Sequence, residues 1–249
     1  MQPILATLIF DAYTTSSFVN QIILLLLVAL SVYTLWLIVG KLSDIKIIDR
    51  LNTKFSRQYR GRAHPSQLFI EAQGNFAPGI PMATIYSEVM KEFMSIMRKR
   101  GIQETDFVSW QLGAMGTAIS ETEMASLRAV AESNLSEQIL FIESKMSVLA
   151  TCVSTAPSLG LFGTVYGVME SFMAMAQSGS ALMVKAVAPG ISGALLTTVA
   201  GLAISIPASL FYNHIGDKVR ATTVKVENFT DELVADIARL HIIPIEGKV

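Results

Sequence analysis

Three stretches of the chain, Ile22–Gly40, Met146–Met169 and Ala186–Asn213, contain no Lys, Arg, Asp, Glu or His. They are 19, 24 and 28 residues long, and a helix rising about 1.5 Å per residue needs about 20 residues to cross a hydrocarbon core. A helix of that length in a soluble core would carry a charged face. The chain therefore reads as an all-α integral membrane protein with three transmembrane helices. Its 51% hydrophobic content fits, while 16% charged residues mean that much of it lies in water.

The placement of cations sets the topology. Of 19 Lys and Arg residues, none precedes the first span and only Lys185 lies between the second and third. Cations close to a span stay on the cytoplasmic side, so Lys41, Lys46, Arg50, Lys54 and Arg57 place the end of span one inside. The expected division is residues 1–17 outside, 18–40 the first span and 41–145 a cytoplasmic helical region. The second span is 146–177, a short outer loop is 178–185, the third span is 186–213, and 214–249 is a cytoplasmic C-terminal helix. The start lacks a basic n-region and a small-residue cleavage site, which reads as an uncleaved anchor.

Cys152 is the only cysteine, so neither an intrachain disulfide nor a cysteine metal cluster is expected, and His64, His214 and His241 share no ligand spacing. No metal or cofactor is expected. There is no phosphate loop or nucleophile elbow either, so the chain does not read as an enzyme.

Outside the spans, Ile45, Ile48, Leu51 and Phe55 recur at three- and four-residue steps, predicting a helix that leaves the membrane after span one. Gly61, Pro65, Gly74, Pro78 and Gly79 mark 58–80 as loop-like. Pro81 suits the first turn of a helix running to Arg100 and stopping at Gly101. From Thr105 to Met169 the pattern predicts one long helix, or two in line, with Glu121, Glu123, Glu132, Glu137 and Glu143 as an acidic solvated face. Val226, Phe229, Leu233, Ile237 and Leu240 form an apolar stripe on a helix continuing out of span three, so spans two and three both extend into the cytoplasm.

Polar residues within a span mark either helix packing or a pore. Span two carries Thr151, Ser154, Thr155, Ser158 and Thr164; span three carries Ser192, Thr197, Thr198, Ser205 and Ser209. Gly160, Gly163 and Gly167 in one, and Gly190, Gly193 and Gly201 in the other, permit close backbone approach. Pro157 and Pro207 each remove a backbone hydrogen bond and can kink their helices. Glu170 lies about 10 Å inside a span that ends near Gln177, or at the outer interface if the span is shorter. A carboxylate at that depth is costly unless paired, hydrated or neutralised. Span one is mostly Leu, Ile and Val, as expected of a lipid-facing helix.

The run Ala156-Pro157-Ser158-Leu159-Gly160-Leu161-Phe162-Gly163-Thr164-Val165-Tyr166-Gly167-Val168-Met169 resembles the second span of the TolQ/ExbB/MotA proton-channel family. Ala188-Pro189-Gly190-Ile191, Ala194-Leu195-Leu196, Thr198, Gly201-Leu202, Ile206-Pro207-Ala208 and Tyr212-Asn213 resemble its third. Lengths and loops are closer to the TolQ and ExbB branch. The resemblance implies a multi-pass protein of the bacterial inner membrane, with its N-terminus periplasmic and its C-terminus cytoplasmic. It also implies a homopentamer with two copies of a small single-span partner, resembling TolR or ExbD, in the central pore. That partner would supply a proton-carrying Asp, and proton-motive force, or sodium-motive force, would drive work in the cell envelope.

The family's pore-facing threonines fall on Thr155 and Thr198, and Thr197 adds a hydroxyl that can help replace the hydration shell of sodium. Members of this branch carry a Glu where this chain has Gly193. The expectation is that the pore carboxylate has moved to Glu170, so that Glu170→Gln loses activity and Gly193→Glu partly restores it. The alternative is a non-conducting oligomeric scaffold. The outlet, whether outer-membrane integrity, energised uptake or motility, lies with the partner.

Overall fold

The structure is a computed structural model that describes residues 17–62, 64–99, 119–177 and 183–241. Six helices account for most of them: α1 (Phe18–Arg60), α2 (Gln67–Glu71), α3 (Pro81–Lys99), α4 (Glu121–Glu143), α5 (Met146–Gln177) and α6 (Met183–His241). No strand occurs among the described residues. Helices α1, α5 and α6 contain segments long and apolar enough to cross a membrane. The expected end of α3 at Arg100 and Gly101, and most of the outer loop 178–185, lie outside the described residues.

Contacts divide the chain into two units, one of Met1–Leu42 and Lys145–Asp217, the other of Ser43–Ser144 and Lys218–Val249. The first is a three-helix packing unit. Buried residues follow three- and four-residue steps on each helix: Asn20, Ile23 and Leu27 on α1; Leu149, Cys152, Ala156, Gly160, Gly163 and Gly167 on α5; Ala194, Thr197, Gly201, Ser205 and Ala208 on α6. That spacing is the inward stripe of packed helices. Its chemistry inverts a soluble core: small and hydroxylated residues face in. Large apolar residues such as Leu161, Phe162, Phe172, Val199, Ile206 and Phe211 face out. Lipid or neighbouring subunits must cover such a surface. Span one is only partly lipid-facing, because Ile23 and Leu27 pack on Ala156, with Leu159, Ala200 and Ile204 around them.

In the second unit the stripe predicted after span one is present, with Ile45, Ile48 and Phe55 buried; Asn52 takes the buried position beside a half-buried Leu51. The Asn52 carboxamide oxygen accepts from Met82 N–H at 3.2 Å, satisfying a donor in the first turn of α3 that the helix itself leaves open. Phe55, Tyr59, Phe69, Phe76, Tyr86 and Phe229 form a cluster of mostly edge-to-face rings with centroids 5.3–6.5 Å apart. On the C-terminal stripe, Val226, Phe229, Leu233 and Ile237 are all buried. Helix α4 starts at Ser120, whose hydroxyl accepts from Glu123 N–H while the Glu123 carboxylate accepts from Ser120 N–H, a reciprocal cap. The chain then breaks at Ser144 and Lys145, the latter at φ 66°, so Glu121–Glu143 and Met146–Gln177 are two separate helices, and the expected start of the first at Thr105 lies outside the described residues.

The buried Tyr59 hydroxyl donates to the Asp236 carboxylate at 2.9 Å. Burial raises the Tyr59 phenol above its ordinary range, and the Asp236 charge and this bond raise it further. A raised folded-state value stabilises the neutral phenol. The contribution is whole at neutral pH and falls only as pH rises past about 10. Tyr59→Phe should cost about 1.5–3 kcal/mol, the worth of a hydrogen bond to a charged group, and flatten the alkaline end of a stability–pH curve. Unfolding midpoints from pH 7 to 11 check this.

Candidate functional site

The polar side chains of the spans fall into three groups. Thr151, Ser154 and Ser158 on α5, and Ser205 and Ser209 on α6, return their hydroxyls to carbonyls of their own helix, three or four residues back. That satisfies the hydroxyl locally and leaves no chemistry to spare.

Thr164, Thr197 and Thr198 do something different. They gather with the carbonyls of Gly160 and Ala194 where α5 and α6 cross. Thr197 Oγ1 lies 3.0 Å from Gly160 O and 2.7 Å from Ala194 O. Thr198 Oγ1 lies 3.0 Å from Gly160 O. Thr164 Oγ1 lies 2.9 Å from Ala194 O and 2.5 Å from Thr198 Oγ1.

The glycines make this possible. A Cβ built on Gly160 would stand 2.7 Å from Thr197 O, one on Gly163 2.5 Å from Thr197 Oγ1, and one on Gly201 2.6 Å from Ala156 O. Only glycine lets the backbones and hydroxyls approach this closely. Pro157 lies within α5 just before this crossing, where it removes one backbone donor, and Pro207 lies on α6 beyond it.

The third group has no hydrogen bond among the described residues: an exposed Ser192 on α6 and, on α5, a half-buried Thr155. Thr155 stands nine residues before Thr164, which is half a turn out of phase on a helix of 3.6 residues per turn. Thr155 therefore faces the other side of α5 from the Thr164–Thr198 contact. The two threonines expected to share one pathway do not meet within a protomer.

Thr197 is also placed differently from expectation. It is 0% exposed, and its hydroxyl is held between the helices, so in the protomer it is a packing group rather than a surface ligand. Thr164, seen in the sequence only as one more hydroxyl, is the residue that sequence reasoning missed. Its signal was its place in the Gly163-Thr164 pair, one helical turn after Gly160.

Glu170 is exposed on α5 and Gly193 is buried on α6, so a carboxylate at 170 does not fill the space that a side chain at 193 would. Gly167 and Gly190 close the end of the stripe nearest Gln177 and Met183. Their built Cβ atoms would stand 2.4 Å from Asn20 Nδ2 and from Ser171 Oγ respectively. Asn20 is 1% exposed, and among the described residues neither its Oδ1 nor its Nδ2 finds a partner. A buried unpaired amide costs about 1–3 kcal/mol. Asn20→Leu, close to isosteric, should raise the melting temperature of the purified protein; a lower one would show that the amide is satisfied in the membrane.

These features define an all-helical, multi-pass membrane protein whose second and third spans cross on glycine and hold threonine hydroxyls at the crossing. The match to known proteins carries this further. Residues 89–228 match the MotA/TolQ/ExbB proton channel family, and the chain belongs to that family, in its TolQ/ExbB branch. It is similar to the Tol-Pal system protein TolQ of Pseudomonas aeruginosa, 29% identical over 94% of both chains. TolQ of Haemophilus influenzae is 28% identical over 92% of this chain and 93% of its own. The biopolymer transport protein ExbB of Pseudomonas putida is 27% identical over 66% of this chain and 54% of its own.

Proposed function

We propose that this chain is the channel subunit of an ion-driven envelope motor of the TolQ/ExbB type, working with a TolR/ExbD-like single-span partner. The observation that carries the reading is the likeness to TolQ along nearly the whole length of both chains, together with family hydroxyls at Thr155 and Thr198. The separation of those two threonines on opposite sides of α5 supports a ring. A pathway that uses both must draw Thr155 from one protomer and Thr198 from its neighbour, which fits a homopentamer around a pore.

In that pore the partner's carboxylate would meet Thr155, whose hydroxyl has no competing bond, and Thr198, which keeps a lone pair to offer. Glu170, exposed on α5, adds a second ionisable group toward the outer end. The proton is the expected ion, with sodium the alternative. The orientation supported by the cations is N-terminus periplasmic and C-terminus cytoplasmic, in the bacterial inner membrane. Similarity to TolQ over a larger share of both chains than to ExbB favours an outer-membrane integrity system as the outlet.

The test is native mass spectrometry of the complex purified from its own cells, followed by pH-jump flux in proteoliposomes. Five copies of this chain with two of a small single-span protein, and proton uptake on imposing a gradient, are expected. A bare oligomer that passes no ion under conditions preserving known complexes would favour the scaffold instead.

A further inference from the structure

We infer that Thr164 is a positioning residue for Thr198, and that with Thr197 it lets the Thr198 hydroxyl turn outward without stranding a polar group. This rests on the reading of Thr198 as a pathway residue. The argument is a count of donors and acceptors. Three hydroxyls, each with one proton, face two carbonyls, Gly160 O and Ala194 O, and no pair among them named above exceeds 3.0 Å. Backbone helix bonds already occupy part of each carbonyl, so Gly160 O cannot take every hydroxyl at once.

Within 3.0 Å two arrangements satisfy all three donors, and a longer bond from Thr164 back to Gly160 O at 3.3 Å is the alternative on α5 itself. In one, Thr164 donates to Thr198, Thr198 to Gly160 O, and Thr197 to Ala194 O. In the other, Thr164 donates to Ala194 O, Thr198 to Thr164, and Thr197 to Gly160 O. Either oxygen of the Thr164–Thr198 pair can be the donor.

A third setting follows when an acceptor arrives from outside the helix pair. Thr198 then gives its proton to that acceptor while Thr164 still donates into Thr198 and Thr197 covers Gly160 O. No buried group is left unpaired, so the change avoids the desolvation cost that a lone hydroxyl would incur. Thr164 does not touch the ion in this scheme. It fixes the direction of the Thr198 lone pairs, and the charge that Thr198 can stabilise depends on that direction.

The experiment compares Thr164→Val, Thr164→Ser, Thr198→Val and the Thr164→Val/Thr198→Val pair in the intact complex, by flux against pH and by thermal midpoint. Valine keeps the shape and loses the hydroxyl. Thr164→Val should assemble, lower flux about tenfold, the worth of one hydrogen bond, and shift the pH at half-maximal flux. Thr164→Ser should stay within about twofold, since it retains the bond. The pair should be no worse than Thr198→Val alone, as expected of residues acting as one unit.

Undiminished flux in Thr164→Val would overturn the proposal, as would a uniform loss without a pH shift, or a serine variant as poor as valine. If valine fails to assemble, rescue of both assembly and the pH profile by serine carries the proposal, and failure of both overturns it. Wild-type complex that passes no ion sinks the channel reading itself. The hydroxyl link is then judged by the midpoints, where additive Thr164→Val and Thr198→Val shifts would overturn it.

Discussion

Gly160→Ala is expected to break the packing of α5 on α6, while Gly40→Ala, on α1, leaves the protein as it was. The methyl at 160 would stand 2.7 Å from Thr197 O, 3.0 Å from Thr198 Cα and 3.4 Å from Gly201 Cα. All three are backbone atoms, so no side chain can swing aside and the helices themselves must part. Parting them stretches the bonds that Thr197 and Thr198 make to Gly160 O. Overpacking of this kind costs about 1–3 kcal/mol, and each interhelical hydrogen bond in a membrane adds about 0.6. Helix propensity returns about 1 kcal/mol for replacing Gly by Ala. That return is what Gly40→Ala isolates, because a Cβ there meets nothing within 4 Å. Gly160→Ala should therefore melt several degrees lower and lose oligomer in mild detergent, whereas Gly40→Ala should melt at or slightly above the wild-type temperature. Equal melting of the two variants would show that the helices cross less closely than the structure has them.

The spans were legible because a membrane imposes one strong demand, a long run free of charge, and the helices outside them were legible from their three- and four-residue stripes. The packing face was legible in outline, since Gly160, Gly163 and Gly167 already marked a side where backbones meet. What the sequence did not carry was phase across the crossing. Thr155 and Thr198 look like partners when each is matched to a family position. Nine residues of helix between Thr155 and Thr164 put them on opposite sides of α5, and that emerges only once Thr198 is seen bonded to Thr164. Thr197 misled for a similar reason: adjacent to Thr198 in sequence, it is about 100° round the helix and wholly buried. The start of α4 was legible and missed, because Ser120 and Glu123 have the spacing of a reciprocal cap. The break at Ser144 and Lys145 had no such signal; a non-glycine residue at φ 66° has to be seen.

Glu170→Gln is expected to abolish most ion flux while leaving the complex assembled. Glu170 is the only Asp, Glu, Lys or Arg in α5, and by helical rise it lies about 10 Å before the end of that helix. An ionisable side chain within a span is costly to keep, by about 2.5–3.5 kcal/mol at mid-membrane on insertion scales and less toward an interface. Fifteen residues separate it from Thr155, which on a helix is about 60° of rotation and 22 Å of rise. The two therefore share one broad side of α5, with the carboxylate nearer the Gln177 end. Glutamine keeps the size and the hydrogen-bonding atoms and removes only the charge and the exchangeable acid proton. Removing the charge relieves that cost and leaves the size unchanged, so assembly should hold and the melting temperature should not fall. Flux should fall about a hundredfold, within the range for positioned proton-transfer groups, with Glu170→Asp retaining part of it. Gly193→Glu is not expected to restore what Glu170→Gln removes. Position 193 is buried on α6, so a carboxylate there would strain the packing unit rather than re-create an exposed acid, and the double variant should assemble poorly. Wild-type flux in Glu170→Gln would assign the residue to the outer interface and leave the pathway to the threonines and the partner's carboxylate alone.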